Sequence, residues 1–153
     1  MERPETLIPA RISVVTLGAR DLDRLRSFYR GLGWALAVDI EGFAAFETQG
    51  AVLALFPLDE LAADGQVMAT APERGLRGFS LCINVDAPEQ VDATIAAVER
   101  AGGRVTKKPV QAEWGGRSAY FADPGDNLWE VVWVPPESRM HGAIRKAGGF
   151  GAV

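Results

Sequence analysis

The hydrophobic pattern of the first half of the chain predicts a strand, a helix and three further strands. Asp21 is a candidate N-cap, and apolar residues then recur at helical spacing until Gly31 and Gly33, which are expected to end the helix. Gln49 and Gly50 form a compact turn signal between two apolar segments. The predicted strands of this half are residues 12–19, 34–39, 44–48 and 51–56.

The second half of the chain repeats this order of elements. A helix is predicted after Asp86, with Pro88 in its first turn and an apolar stripe along one side. Gly102 and Gly103 are expected to stop that helix. The predicted strands of this half are residues 79–85, 104–109, 118–123 and 128–134. Such an internal repeat predicts two similar βαβββ units that bury complementary faces against each other.

The same pattern divides the chain into segments. Residues between the two halves lose the periodicity and include Gly65, Pro72 and Gly75, which indicates a linker or a lid. After Pro135 and Pro136 the tail is glycine-rich and basic, with no apolar stripe long enough to predict a helix, so we expect it to be mobile or dependent on a partner. The predicted segments are an N-terminal arm (1–10), the first module (11–57), the linker or lid (58–77), the second module (78–136) and the C-terminal tail (137–153).

Composition narrows the expected partners and compartment. With 153 residues, 48% of them hydrophobic and 24% charged, the chain can bury the core of one compact domain. A net charge of −4 leaves no global basic field for nucleic acid or an anionic membrane, and no apolar run approaches the roughly 20 residues of a membrane span. The single cysteine, Cys82, cannot form an internal disulfide, and the N-terminus shows no secretion signal. We therefore expect a cytoplasmic protein that binds neither nucleic acid nor a membrane.

Five segments, in this order and spacing over residues 11–136, resemble the vicinal oxygen chelate superfamily of glyoxalases, bleomycin-resistance proteins and extradiol dioxygenases. They are VTLGARDL, FYRGLGW, GAVLALF, ERAGG and WGGRSAYFADPGDNLWEVVW. The resemblance implies an α+β fold in which two βαβββ modules form a cupped, incomplete barrel, with helices outside, a ligand site inside and a homodimeric assembly. One departure is Asp126, which stands where the last turn of the family commonly has glycine.

The resemblance also implies four positions for the ligands of a divalent metal. In this chain they are Val14, Ala54, Ser80 and Glu130. Only Glu130 can ligate strongly, whereas a catalytic metal usually needs three or more protein donors. The sole histidine, His141, lies in the tail, so one copy cannot assemble the two-histidine iron centre of an extradiol dioxygenase. We predict no metal cofactor, with a weak magnesium or manganese site formed by Glu130 with Glu47, Glu113 or waters as the alternative.

Strand alternation sorts the residues of the predicted strands into two faces. One face is uniformly apolar and suited to packing, and comprises Val15, Leu17, Leu81, Ile83, Val85, Trp129, Val131 and Trp133. The opposite face is small and partly polar, and a few polar groups in an apolar cup are typical of a small-molecule site. Trp114, on a flexible segment, could cover a bound ring. The predicted ligand-binding residues are Val14, Thr16, Ala54, Phe56, Ser80, Asn84, Trp114 and Glu130.

The functional alternatives differ in the role that they give to Glu130. A carboxylate on a buried strand needs a hydrogen-bond partner, a cation or a proton. Glu130 therefore anchors a ligand, acts as a general acid or base with a raised pKa, or is paired internally without a function. An enolate formed by such a base needs an electrophile, for which Arg117 and the ring N–H of Trp114 are candidates. Cys82 is expected to be an inert structural thiol, because no basic residue near it in sequence would activate it.

Three functions remain open at this point. The leading prediction is metal-independent binding of a small apolar or aromatic molecule in the cup of a homodimer. One alternative is a lyase or isomerase of the glyoxalase type in which Glu130 transfers a proton. A further alternative is a non-catalytic scaffold whose cup is filled by its own side chains.

Overall fold

A computed structural model describes residues 8–69 and 75–150 and shows an α+β fold of two βαβββ modules. The first module consists of β1 (Val14–Ala19), α1 (Leu22–Gly31), β2 (Leu36–Ile40), β3 (Phe43–Phe46) and β4 (Val52–Pro57), and is followed by α2 (Leu58–Asp64). The second consists of β5 (Leu81–Val85), α3 (Glu89–Ala101), β6 (Arg104–Gln111), β7 (Arg117–Ala122) and β8 (Leu128–Trp133), and is followed by α4 (Arg139–Lys146).

Each module contributes one four-stranded sheet. Sheet A has the strand order β1-β4-β3-β2 and sheet B the order β5-β8-β7-β6, and in both sheets the first and last strands of the module pair in parallel. The two sheets do not close into a barrel. The predicted fold of two βαβββ modules is confirmed, because the same strand order recurs in each half of the chain.

Helix ends follow the local signals in the sequence. The Asp21 side chain accepts a hydrogen bond of 3.0 Å from the backbone N–H of Arg24 and so caps α1. Helix α3 ends at Gly102, whose φ of 100° is in the left-handed region that favours glycine. Asp126 also has a positive φ, of 60°, and aspartate is one of the few residues with a side chain that tolerate this conformation. The family turn therefore persists without glycine.

Two helices lie where the pattern predicts none. Helix α2 falls within the predicted linker, begins directly after Pro57 and carries acidic residues in its first turn, where they oppose the positive end of the helix dipole. Helix α4 falls within the tail, where the Ser138 hydroxyl accepts a hydrogen bond from the N–H of Met140. Neither helix has a long apolar stripe, and α4 buries no residue, which explains why periodicity missed them. Residues 1–7 of the predicted arm, 70–74 of the predicted linker and 151–153 of the predicted tail lie outside the described residues.

No helix in the described ranges has the length and hydrophobicity to span a membrane.

Helix α1 lies between the two sheets and belongs to the cores of both modules. Its Leu25, Phe28 and Tyr29 are buried. Together with β4 of sheet A they form one hydrophobic cluster that also includes Phe121 and Trp129 of sheet B. The ring centroids of Phe28 and Phe121 are 6.2 Å apart, and those of Tyr29 and Trp129 are 6.0 Å apart. The helix-covered faces of the sheets therefore point toward each other.

The remaining two faces point away from this shared core, and we call them open face A and open face B after their sheets. Thr16 and Ala54 lie on open face A, while Cys82 and Glu130 lie on open face B. The resemblance implies helices outside the sheets and one cup inside them. Within one chain the structure differs from this expectation, because α1 is buried between the sheets. Its apolar surface is wide enough to pack against both of them.

A buried hydrogen-bond cluster joins the two modules at α1. The Tyr29 hydroxyl donates to a carboxylate oxygen of Asp123 over 2.5 Å, and the Trp129 Nε1–H donates to the Tyr29 oxygen over 2.9 Å. Asp123 also accepts bonds from the backbone N–H groups of Gly125 and Asn127, which hold the β7–β8 turn. Burial, followed by the charge of Asp123, raises the pKa of Tyr29 well above its usual value. The phenol therefore stays protonated and keeps donating.

Replacement of Tyr29 by phenylalanine is expected to lower the free energy of unfolding by about 1–3 kcal/mol, because it leaves buried polar groups of Asp123 and Trp129 short of a partner. Urea denaturation measures the change. The matched control is Tyr120→Phe, which removes a hydroxyl from a half-buried ring and is expected to cost less. Equal losses in the two variants would contradict the linking role of Tyr29.

The stabilising contribution of Tyr29 is also expected to depend on pH in the alkaline range. Because the pKa of Tyr29 is raised in the folded state, its contribution is complete below the unfolded pKa of about 10 and is lost as pH rises above that value toward the folded pKa. The difference in unfolding free energy between the native chain and Tyr29→Phe should therefore shrink above about pH 10. A difference in unfolding free energy that grows with pH above about 10 would contradict this prediction.

Candidate functional site

A row of four side chains crosses open face B at right angles to its strands. The register of the sheet places Cys82, Glu130, Tyr120 and Lys107 side by side on β5, β8, β7 and β6. Tyr120 on β7 is the direct neighbour of Glu130 on β8. The Lys107 ammonium lies 5.6 Å from the centroid of the Tyr120 ring and donates to the Ser118 hydroxyl over 3.3 Å. This polar row brings an acid, a phenol and a cation onto one surface.

The polar row raises the pKa values of two of its members. Although Cys82 is exposed at the sheet edge, burial of its thiol, followed by the charge of Glu130, raises the pKa to about 12. Burial and then the Glu130 charge also raise the pKa of Tyr120 above its usual value. Both groups are therefore protonated at neutral pH. Cys82 does not present a thiolate nucleophile, and Tyr120 presents a hydroxyl that can donate.

The other predicted residues of the second module lie around this row. Asn84 is the next residue of β5 on open face B and is level with Val132 and Ser118. Ser80 is exposed and directly precedes β5, where alternation puts it on the same face. Trp114 is 56% exposed and lies in the β6–β7 turn, at the end of the sheet that Asn84 approaches.

Open face A is mainly apolar and carries the predicted residues of the first module. Register puts Thr16 level with Ala54, and Val14 lies two residues earlier beside Val52. Phe56 is level with Gly18 and has its ring against Phe43 at the end of the sheet that α2 covers. Exposed apolar side chains extend along this face and include Val14, Val38, Ile40 and Val52.

The eight predicted ligand-binding residues therefore do not converge within one chain. Val14, Thr16, Ala54 and Phe56 are on open face A, whereas Glu130 and Asn84 are on open face B. Alternation sorts residues onto faces, but the burial of α1 between the sheets decides where each face points.

Arg117, one of the two candidate electrophiles, does not lie beside Glu130. Arg117 is on the helix-covered face of β7, level with Trp133, and its guanidinium makes two hydrogen bonds of 2.7 and 2.8 Å to the Asp92 carboxylate on α3. It therefore faces away from Glu130. Tyr120 takes the adjacent place, and the sequence reasoning missed it together with Lys107. Alternation within residues 118–123, applied as it was to the neighbouring strands, would have placed Tyr120 on the face of Glu130.

The donor set does not fit a divalent metal. Among residues 8–69 and 75–150, no group of three or more histidine, cysteine, aspartate or glutamate side chains could hold an ion. This finding also gives no support to the alternative site of Glu130 with Glu47 or Glu113. The neighbours of Glu130 in its row are a protonated thiol and a protonated phenol, which are weak ligands in those states.

Comparisons with known proteins agree with this architecture. The family model described as Glyoxalase/Bleomycin resistance protein/Dioxygenase superfamily matches residues 11–131. A glyoxalase-related enzyme from Fulvimarina pelagi is 30% identical, with a TM-score of 0.75 and coverage of 83% of this chain and 90% of that one. No curated protein sequence matches the chain significantly.

Two further solved structures are similar. A glyoxalase/bleomycin resistance protein/dioxygenase from Nocardioides is 26% identical, with a TM-score of 0.73 and coverage of 88% of this chain and 89% of that one. A lactoylglutathione lyase from Agrobacterium tumefaciens is 27% identical, with a TM-score of 0.62 and coverage of 82% of this chain and 94% of that one.

The Cys82 thiol is expected to alkylate slowly. With its pKa raised from 9.0 to about 12, the thiolate fraction at neutral pH is about a thousandfold below that of an unperturbed thiol, and iodoacetamide labelling should slow accordingly. Mass spectrometry of the native chain, with the urea-unfolded chain as reference, measures the rate.

The variant Glu130→Gln should accelerate labelling of folded Cys82, because it removes the charge that opposes the thiolate. The acceleration should be partial, since burial is the larger cause of the raised pKa. Labelling of the native chain at the rate of the unfolded chain would contradict the placement of Cys82 beside Glu130.

Proposed function

The chain belongs to the glyoxalase/bleomycin resistance protein/dioxygenase superfamily, and we propose that it binds a small apolar or aromatic molecule on open face B without a metal cofactor. The observation that carries this proposal is the polar row, in which Glu130 and Tyr120 lie side by side on a surface turned away from the core. A few fixed polar groups orient a ligand, and the surrounding apolar surface supplies most of the binding energy.

The apolar part of the site comes from open face A of a second copy. Open face A exposes apolar residues such as Val14 and Ile40, while open face B supplies polar groups, so the two faces complement each other. A twofold axis would place face A of each copy against face B of the other and close two equivalent sites. This arrangement supports a homodimer, because each chain alone presents the two halves of a site on separate surfaces.

The polar row also defines the kind of ligand that fits. Glu130 is an acceptor and would bind a hydroxyl, an amine or an N–H group of the ligand. An aromatic or aliphatic body would lie against the valine side chains of the opposing face, whose burial is favourable by roughly 25 cal/mol per Å². We therefore expect hydrogen-bond donors attached to an apolar skeleton to bind better than acids.

Proton transfer is a second candidate, favoured by the position of Tyr120. The Glu130 carboxylate would take a proton from the carbon next to a substrate carbonyl, and the electron pair would move into an enolate. The protonated Tyr120 hydroxyl would donate to the enolate oxygen and supply the electrophile that Arg117 does not. With an α-hydroxy carbonyl substrate, return of the proton from Glu130 to the former carbonyl carbon, with the substrate hydroxyl proton transferred to the former carbonyl oxygen through Tyr120, would complete an isomerisation without metal.

A thermal-shift screen of aromatic and apolar metabolites tests the binding proposal. A ligand present at 100 times its dissociation constant should add about 2.7 kcal/mol to the free energy of unfolding. Glu130→Gln should weaken each donor-bearing hit by at least about tenfold, because a charged acceptor becomes neutral. Glu137→Gln makes the same chemical change at an exposed position after β8 and should leave affinity unaltered.

Measurements of substrate turnover and of oligomeric state distinguish the binding protein, the enzyme and the scaffold. Loss of binding in Glu130→Gln without turnover of any hit supports a binding protein, whereas conversion that stops in both Glu130→Gln and Tyr120→Phe supports proton transfer. Light scattering should give the mass of two copies. A monomer that binds no compound from a broad library would argue for a scaffold, and against both ligand binding and proton transfer.

A further inference from the structure

A cavity that is partly open to solvent lies along β5, between the two modules. This inter-module cavity has a volume of about 420 Å³, which is within the range of small-molecule sites. Its apolar walls come from the helix-covered faces of both sheets. They are Val15, Leu53, Leu81, Ile83, Trp34 and Trp129. Cys82 and Asn84, on the opposite face of β5, also line the cavity, so it borders the end of the polar row, whereas Glu130 and Tyr120 are not among its lining residues.

Two indole rings give the cavity an aromatic corner. The ring centroids of Trp34 and Trp129 are 5.8 Å apart and the planes are inclined by 76°. Trp129 is fixed by the hydrogen bond from its Nε1–H to Tyr29, so its ring is held in place by the cluster that joins the modules. A planar molecule can stack on one indole and place its edge against the other, which is the preferred geometry of aromatic groups.

One polar atom at the cavity lacks a partner. Asn84 is among the lining residues, and its side-chain nitrogen, Nδ2, is buried without a hydrogen bond within the described residues. A buried N–H donor without an acceptor is costly, and native proteins satisfy nearly all such groups. A ligand that carries a carbonyl oxygen would supply the missing acceptor.

The β3–β4 turn and the segment after α4 form part of the rim. Thr48 and Gln49 of that turn and Gly149, which follows α4, are among the lining residues. Gly148 lies close to the backbone N of Gly50, so the segment after α4 borders the cavity at this turn.

We propose that the inter-module cavity binds a planar aromatic molecule with a carbonyl acceptor, with Trp34 and Trp129 against its ring and Asn84 Nδ2 donating to its oxygen. This site borders open face B at Cys82 and Asn84 but includes neither Glu130 nor Tyr120, so it does not depend on the function proposed for that pair.

Coumarin, a neutral bicyclic ring with a carbonyl group, is a suitable probe, and indole is a comparable ring without an acceptor. Titration should quench tryptophan fluorescence saturably, and coumarin should bind about two- to tenfold more tightly than indole because of one additional hydrogen bond. In Asn84→Ala this preference should disappear while indole affinity changes little. Equal affinities for the two probes in the native chain would overturn the role of Asn84.

Filling the cavity tests its location. Ile83→Phe adds bulk at a lining residue and should weaken coumarin binding at least about tenfold. Val67→Phe adds comparable bulk at an exposed residue after α2, outside the cavity lining and both open faces, and should have no effect. If Ile83→Phe does not fold, the location of coumarin is tested in the native chain instead. Nuclear Overhauser contacts between coumarin and the indole protons of Trp34 and Trp129 are then expected, and their absence would overturn the proposal. Absence of saturable binding, or binding that Ile83→Phe leaves intact, would overturn the proposal.

Discussion

The burial of α1 between the two sheets is the constraint on which the rest of the structure depends. Its aromatic residues contact both sheets, and Tyr29 joins the modules through Asp123 and Trp129. A bonded cluster of this kind specifies one arrangement, because any other would leave a buried carboxylate, phenol and indole N–H without partners. Each sheet therefore has one face fixed toward the core and the other turned outward.

The outward faces have different chemistry, and this difference shapes the functional account. Open face B carries Glu130 with two protonated neighbours, while open face A exposes a row of valines beside Thr16. The positions that the resemblance assigns to metal ligands are Val14, Ala54, Ser80 and Glu130, so they offer only one carboxylate. A lone acceptor paired with a phenol is suited to orient a ligand or to exchange a proton, and it is too small a donor set to hold a catalytic ion.

The sequence predicted the elements and their faces because those depend on local periodicity. Alternation placed Trp129 and Val131 in the core, and the Asp21 cap and the Gly102 stop were confirmed. The sequence could not reveal how the two modules pack, because their packing depends on contacts between residues far apart in the chain, such as Tyr29 and Asp123. The same limit explains the Arg117 error, since its partner Asp92 is on a helix, and the omission of the inter-module cavity, which only the packing of the modules creates.

Complementation between copies tests most directly whether a site combines open face B of one chain with open face A of another. Thr16→Trp would block face A and Glu130→Gln would impair face B, and each variant alone should lose tight binding of a ligand found by screening. When the two are unfolded, mixed and refolded together, calorimetry should show that a fraction of the sites regains native affinity, because each mixed pair contains one intact combination of faces. If the mixture regains no tight sites although mixed pairs form, the site lies within one chain and the account is contradicted.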